Sequence, residues 1–252
     1  MRVFVCEDSF EGIMTAVYDA WASRLGHNNV SLQIQGEYNL DLFSEYVTVE
    51  TEEEKVEKVV RTLQKISGEV FACTYKAAMS AEQEKADNIY RFIVLAIKHR
   101  SRVLERLNHP DVMKVFSMAR RVGTEAHRFL QFVRFRELEN GILFSKIEPK
   151  SHIITMVAPH FDDRLPEENW IIYDATHNLA AVHAKRTPWV LTRETELFPL
   201  LSSKKEADYE ELWKIFFRTI SIESRKNPNC QRNMLPLWYR KNMLEFDTVS
   251  GL

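Results

Sequence analysis

The segment Ala119–Leu138, ARRVGTEAHRFLQFVRFREL, holds the densest set of charged side chains in an otherwise apolar stretch. Arg121, Glu125 and Arg128 stand at i, i+4 and i+7 along one helical flank. Opposite charges so spaced attract across a helical turn, for roughly a few tenths of a kcal/mol per pair. Arg134 and Arg136 follow in a strand-like run and share a face there, because strand side chains alternate with period two. Two readings stay open. One is a solvated salt-bridge row; the other is a pair of arginines, fed by a helix ending in His127-Arg128, that coordinates phosphates.

A second concentration lies at Ser224–Met243, SRKNPNCQRNMLPLWYRKNM, where two prolines bracket basic, amide and aromatic residues without a clean period. From Lys214 to Lys241 seven basic residues (Lys214, Arg218, Arg225, Lys226, Arg232, Arg240 and Lys241) meet one acid, Glu223. Asn227, Asn229, Gln231 and Asn233 add amides, and Trp238 and Tyr239 add flat faces. Lysine and arginine meet phosphates, amides hydrogen-bond base edges, and aromatic rings stack on unpaired bases. The stretch also fits a solvated tail, or a strap that packs Leu235, Trp238 and Met243 on a core. Glu45–Glu57, in contrast, is acidic, so the charge is polarised along the chain.

Other chemistry is thinly represented. APHFDDR (Ala158–Arg164) offers His160 with Asp162 or Asp163, while His152, His177 and His183 stand apart in sequence. A metal site needs three or four convergent ligands, so no metal and no cofactor is expected. There is no G-x-S-x-G elbow, P-loop or G-x-G-x-x-G. Glu7, Asp8 and Glu11 cluster after the first strand, where acids face water or cap helix donors as readily as they pair. If the chain is an enzyme, its site falls on Glu125, His127, His160 and Arg164.

These residues need a scaffold, and the composition supplies one. At 252 residues, with 45% hydrophobic and 28% charged side chains, the chain is globular and long enough to bury a core. Seven glycines and eight prolines favour long helices over many tight turns. The net charge of −2 excludes no partner, because local distribution outweighs the total. Cys6, Cys73 and Cys230 form no CxxC group and read as reduced thiols. With no long apolar stretch and no signal-peptide pattern, a cytoplasmic protein without a membrane partner is expected.

Along the chain, RVFVCED alternates as a half-buried strand, and Ser9 caps an amphipathic helix carrying Phe10, Ile13, Met14, Val17 and Trp21. Ser31–Ile34 and Val47–Val49 are weaker strands. Thr51 with Glu54 has the spacing of a capping box opening a helix through Ile66. Residues 68–133 read as helical, with stripes at Ile89, Phe92, Ile93 and Ala96 and at Val112, Val115, Phe116, Ala119 and Val122, broken by His109-Pro110. Phe132–Leu138 and Ile142–Ile147 alternate about Asn140-Gly141, which signals a hairpin over residues 132–148. A short helix is expected at Ile153–Phe161, antiparallel strands at Trp170–Tyr173, Leu179–His183 and Trp189–Leu191, and a helix at Tyr209–Ile220. The fold class is α+β, predominantly helical with a small antiparallel sheet. An N-terminal α/β portion spans 1–80, and a helical and sheet portion spans 81–252, together one compact unit.

The succession EAHRFLQFVRFREL, APHFDDRLPEENWIIYD and FFRTISIESRKNPNCQRNMLPLWYRKNMLEF, with the opening SFEGIMTAVYDAW, resembles an uncharacterised bacterial family of DNA metabolism proteins. The resemblance covers nearly the whole chain. It implies a gene neighbour that is a radical-SAM protein of DNA repair or modification, and in some bacteria a fusion to a uracil-DNA-glycosylase-like domain. This chain carries neither glycosylase motifs nor the cluster-binding CxxxCxxC, so it is expected as the partner alone. The implied role is a DNA-repair accessory protein that binds damaged or single-stranded DNA and presents it to the radical-SAM partner. Arg134, Arg136, Arg225, Lys226, Arg232, Arg240 and Lys241 would then meet phosphates, Asn227 and Gln231 would meet bases, and Trp238 or Tyr239 would stack. The rival readings are a DNA-processing enzyme with its own site and a protein-only adaptor that docks through the Glu45–Glu57 face.

Overall fold

The computed structural model describes residues 1–36, 42–193, 209–213, 216, 219 and 227–246. The chain divides into two compact units, Met1–Thr124 and Glu125–Leu252. The division falls inside a helix, where the sequence reading set its boundary between 80 and 81 within one compact unit.

In the first unit three strands, β1 (Arg2–Cys6), β2 (Val30–Ile34) and β3 (Glu45–Thr48), form a sheet in the order β2-β1-β3. Both pairings are parallel, Phe4 standing between Leu32 and Val47. Val3, Phe4, Val5 and Cys6 are all buried, so β1 is a central strand covered on both faces, not the half-buried strand its alternation suggests. Helix α1 (Phe10–Ala22) starts at Ser9, whose hydroxyl accepts from the Gly12 amide at 3.0 Å. Gly12 has no room for a side chain, since a Cβ there would sit 2.6 Å from the Glu7 carbonyl oxygen.

Helices α2 (Glu53–Ile66), α3 (Gly68–Ala78) and α4 (Lys85–His99) follow, α2 packing on α1 and α4 on β2. The capping box expected at Thr51 does not form. Glu52 is the N-cap, and its carboxylate instead takes Lys55, which also meets Asp19 of α1. Two α4 side chains one turn apart cover the outer edge of β2. Asp87 accepts from the Leu32 amide at 3.2 Å, and Arg91 donates to the Val30 carbonyl at 2.6 Å. Two of the edge strand's open backbone groups are thereby satisfied.

Helix α5 (Pro110–Phe132) runs from the first unit into the second. In the second unit β4 (Arg136–Glu137), β5 (Leu143–Ile147), β6 (Trp170–Asp174), β7 (Leu179–His183) and β8 (Val190–Thr192) form a sheet in sequential order. The predicted hairpin is present. The Leu138 and Gly141 amides close it by donating hydrogen bonds to the Ile142 and Leu138 carbonyls, and Gly141 takes φ 76°. Its first strand is shorter than Phe132–Leu138, because α5 keeps its helical period through Phe132. The sheet is antiparallel except at β5–β6, which pair in parallel across α6 (Ile154–Arg164). Such a connection is long enough for a crossover. Leu138, Phe144, Ile171 and Ala180 pack together on one face.

Residues 209–213 are helical. Helix α7 (Pro228–Met234) opens at Asn227, whose side chain accepts from the Cys230 amide, and a 3-10 segment spans Leu237–Asn242. The α+β class and its predominantly helical character are as read from the sequence. No helix among the described residues is long and apolar enough to cross a membrane.

Candidate nucleic-acid interface

The end of α5 and the short strand behind it place the two arginines read as a pair. Phe135, between them, turns inward onto Phe161 and Trp170, with ring centroids 5.1 and 6.5 Å away. Arg134 and Arg136 therefore lie on the other side, where both line a recess of about 220 Å³. Leu138 and Phe144 floor it, Lys146 of β5 joins from the neighbouring strand, and Lys241 and Asn242 reach in from the 3-10 segment. Four cations from three separate stretches of chain converge there.

Each of these cations has a carboxylate within reach. Arg134 donates to Glu245 at 3.0 Å, and the indole nitrogen of Trp213 donates to the same nearly buried carboxylate at 3.3 Å. Arg136 lies 3.3 Å from Glu210. Lys146 and Lys241 share Glu148, each at 3.2 Å. Burial alone would raise the Glu148 carboxyl, but hydrogen bonds from Lys146 and Lys241 outweigh it and hold it below the usual carboxylate range. Among the described residues, these four cations meet three carboxylates, Glu245, Glu210 and Glu148.

Beside it lies an aromatic cluster. A small cleft lined by Phe129, Trp238 and Tyr239 also touches Lys146 and Asn242, so recess and cluster share a wall. Tyr239 is buried against Phe129 and Phe132, and burial raises its phenol above the ordinary range. Trp238 stands edge-on to Phe129 at 5.8 Å and is half-buried, with the Lys150 ammonium 5.4 Å from its ring. The Arg128 guanidinium covers the Tyr239 ring at 5.6 Å. Lysine and arginine over aromatic faces are favourable by about 0.5–1 kcal/mol at exposed sites.

Of the strap residues Leu235, Trp238 and Met243, Met243 is buried and the other two are partly exposed, while Tyr239, beside them, is buried. Arg240 turns back to the Leu235 carbonyl and over the Phe246 ring. Asn227 is spent as a helix cap, and Gln231 and Arg232 are exposed on α7. Arg225 and Lys226 lie outside the described residues.

The Arg121–Glu125–Arg128 ladder does not form. Arg121 pairs with Glu82, the buried Glu125 carboxylate accepts from the Lys150 amide at 2.7 Å, and Arg128 covers Tyr239. Those tertiary partners outcompete the helical neighbours. The four enzyme candidates are not brought together by any hydrogen bond or ion pair among the described residues. Glu125 is buried, whereas His127 is exposed and bonded to Gln131. His160 and Arg164 sit exposed on α6. No group of three or more His, Cys, Asp or Glu side chains placed to hold a metal occurs among the described residues. The Glu45–Glu57 acids are largely paired, with Arg2, Lys55, Lys58 and Arg61. Lys146, Lys150, Glu148 and Asn242 were not singled out in the sequence. A lysine on an alternating strand reads as a solvent-facing residue, and only the pairing of β4 with β5 shows what Lys146 faces.

A family described as a domain of unknown function, DUF4130, matches residues 83–245. The chain belongs to that family. The match runs from just before α4 to Glu245, and encloses every residue of the recess and the aromatic cluster. No protein of curated function matches the chain. A solved DHH-domain structure, described as a member of a family of ribosomal proteins, is similar over 73% of each chain at 12% identity and a TM-score of 0.33. A likeness of that size carries no argument about fold or function.

Proposed function

We propose that this DUF4130 protein is a DNA-repair or DNA-modification accessory protein that binds single-stranded or damaged DNA and acts with a radical-SAM partner. The observation that carries the DNA reading is the juxtaposition of a four-cation recess with the partly exposed Trp238. Backbone phosphates need cations, and unpaired bases need a flat face within one nucleotide's reach. In this reading Arg134, Arg136, Lys146 and Lys241 hold phosphate, Trp238 stacks, and Lys150, Gln231 and Arg232 extend the contact surface. Tyr239 and Glu125 hold the scaffold under it. The radical-SAM partner and the repair context rest on the family resemblance of the sequence motifs, which implies a DNA metabolism protein.

Co-purification tests the whole proposal. The tagged chain, expressed with its neighbouring radical-SAM protein, should retain that protein, and added single-stranded DNA should increase the amount retained. Recovery of the chain alone, with and without DNA, would overturn the accessory reading.

A further inference from the structure

We propose that the recess binds a terminal phosphate, a phosphomonoester at a DNA end, in preference to the internal diesters of the strand. The inference rests on the DNA-binding reading above and specifies its ligand. The recess is a small concavity of about 220 Å³ whose lining includes the buried Leu138 and Phe144. A phosphoryl group entering it with one ester arm leaves its sugar at the mouth, whereas an internal phosphate must bring two arms in and out.

The donors argue the same way. Two guanidinium groups, two ammonium groups and the Asn242 amide line one small space. A diester offers two unesterified oxygens, while a monoester offers three and carries a charge of about −1.5 to −2 at pH 7. The cations already face Glu245, Glu210 and Glu148, so a ligand must compete with carboxylates. The added charge and the third oxygen give the monoester that advantage. Leu138 and Phe144 give an apolar seat for the sugar carbon attached to it. Trp238, beyond the wall shared through Lys146 and Asn242, is placed for a base near that end.

The test uses single-stranded oligonucleotides of one sequence bearing a 5′-phosphate, a 3′-phosphate or hydroxyl groups at both ends, with a free mononucleotide as competitor. One phosphorylated end should bind about tenfold tighter than the hydroxyl form, the effect of one added charge-assisted hydrogen bond. Which of the two binds tighter, and whether the mononucleotide competes, assigns the source. The preference should shrink below about pH 6, where the monoester loses its second charge. Arg136→Ala should bring the ratio near one while binding of the hydroxyl oligonucleotide falls only a few-fold. Lys241→Gln, on the exposed segment, should do the same if the arginine variant fails to fold. Equal affinity for all three ends would overturn the inference and leave the DNA reading standing. No binding to any oligonucleotide would overturn both.

Discussion

Trp238→Ala separates the two jobs assigned to the basic stretch. Complete truncation of a buried aromatic side chain costs about 3–5 kcal/mol. Trp238 is only partly buried, edge-on to Phe129 at 5.8 Å and beside Tyr239 at 4.6 Å, with Lys150 at 5.4 Å. Most of the side chain is buried and part of it stays in solvent, so the loss of stability should fall at or below the lower end of that range, about 2–3 kcal/mol, a value that already contains the edge contacts and the cation–π contact. Urea unfolding followed by far-UV circular dichroism measures it. In conditions where the variant is fully folded, single-strand affinity should fall by a further 1–3 kcal/mol, roughly the worth of one stacked base. The salt dependence should not change, because the indole carries no charge. Trp238→Phe should recover most of the stability and part of the affinity. A loss of about 4 kcal/mol or more in stability, with unchanged affinity in the folded protein, would make Trp238 a core residue and refute the stacking role.

Three further outcomes follow. Burial pushes the Cys6 thiol up to about 12 and the Cys73 thiol to about 11, while Cys230 is exposed, so Ellman's reagent at pH 8 should find one fast thiol and none in Cys230→Ser. Glu148, held below its ordinary value of 4.5 when folded, contributes stability that is present above that value and is lost as pH falls through the folded one. The acid side of the stability profile should therefore be flatter in Glu148→Gln. Gly141, at φ 76°, should cost roughly 1–2 kcal/mol when replaced by alanine, read as a lower urea midpoint.

Much of the fold was legible where the signals are local. The Ser9 cap, the Asn140-Gly141 turn and the strands near 170, 179 and 190 depend on neighbours in sequence. The parallel sheet was not legible, because RVFVCED looks the same with one covered face as with two. Only the distant strands Val30–Ile34 and Glu45–Thr48 make β1 central. The Arg121–Glu125–Arg128 ladder failed for a similar reason, since helical spacing permits pairs that stronger tertiary partners dissolve. In the candidate site, Arg134 and Arg136 do line one recess, although Arg134 precedes the two-residue strand and does not share its period. Lys241, more than a hundred residues later, joined them through a C-terminal segment anchored at Met243 and Glu245. Adjacent aromatics in sequence cannot reveal that Tyr239 is buried and Trp238 partly exposed; the ridge of α5 at Phe129 and Phe132 decides it.

The central claim is that the recess holds DNA phosphate, and its salt dependence is the most direct test. Single-strand binding should weaken with a linear slope of log affinity against log salt, at about 0.7 per phosphate contact. Arg136→Ala with Lys241→Ala should reduce the slope by roughly 1.4, two contacts' worth, with the protein still folded. An unchanged slope and intact affinity in that double variant would show that the four cations serve their carboxylates alone and that DNA does not enter the recess.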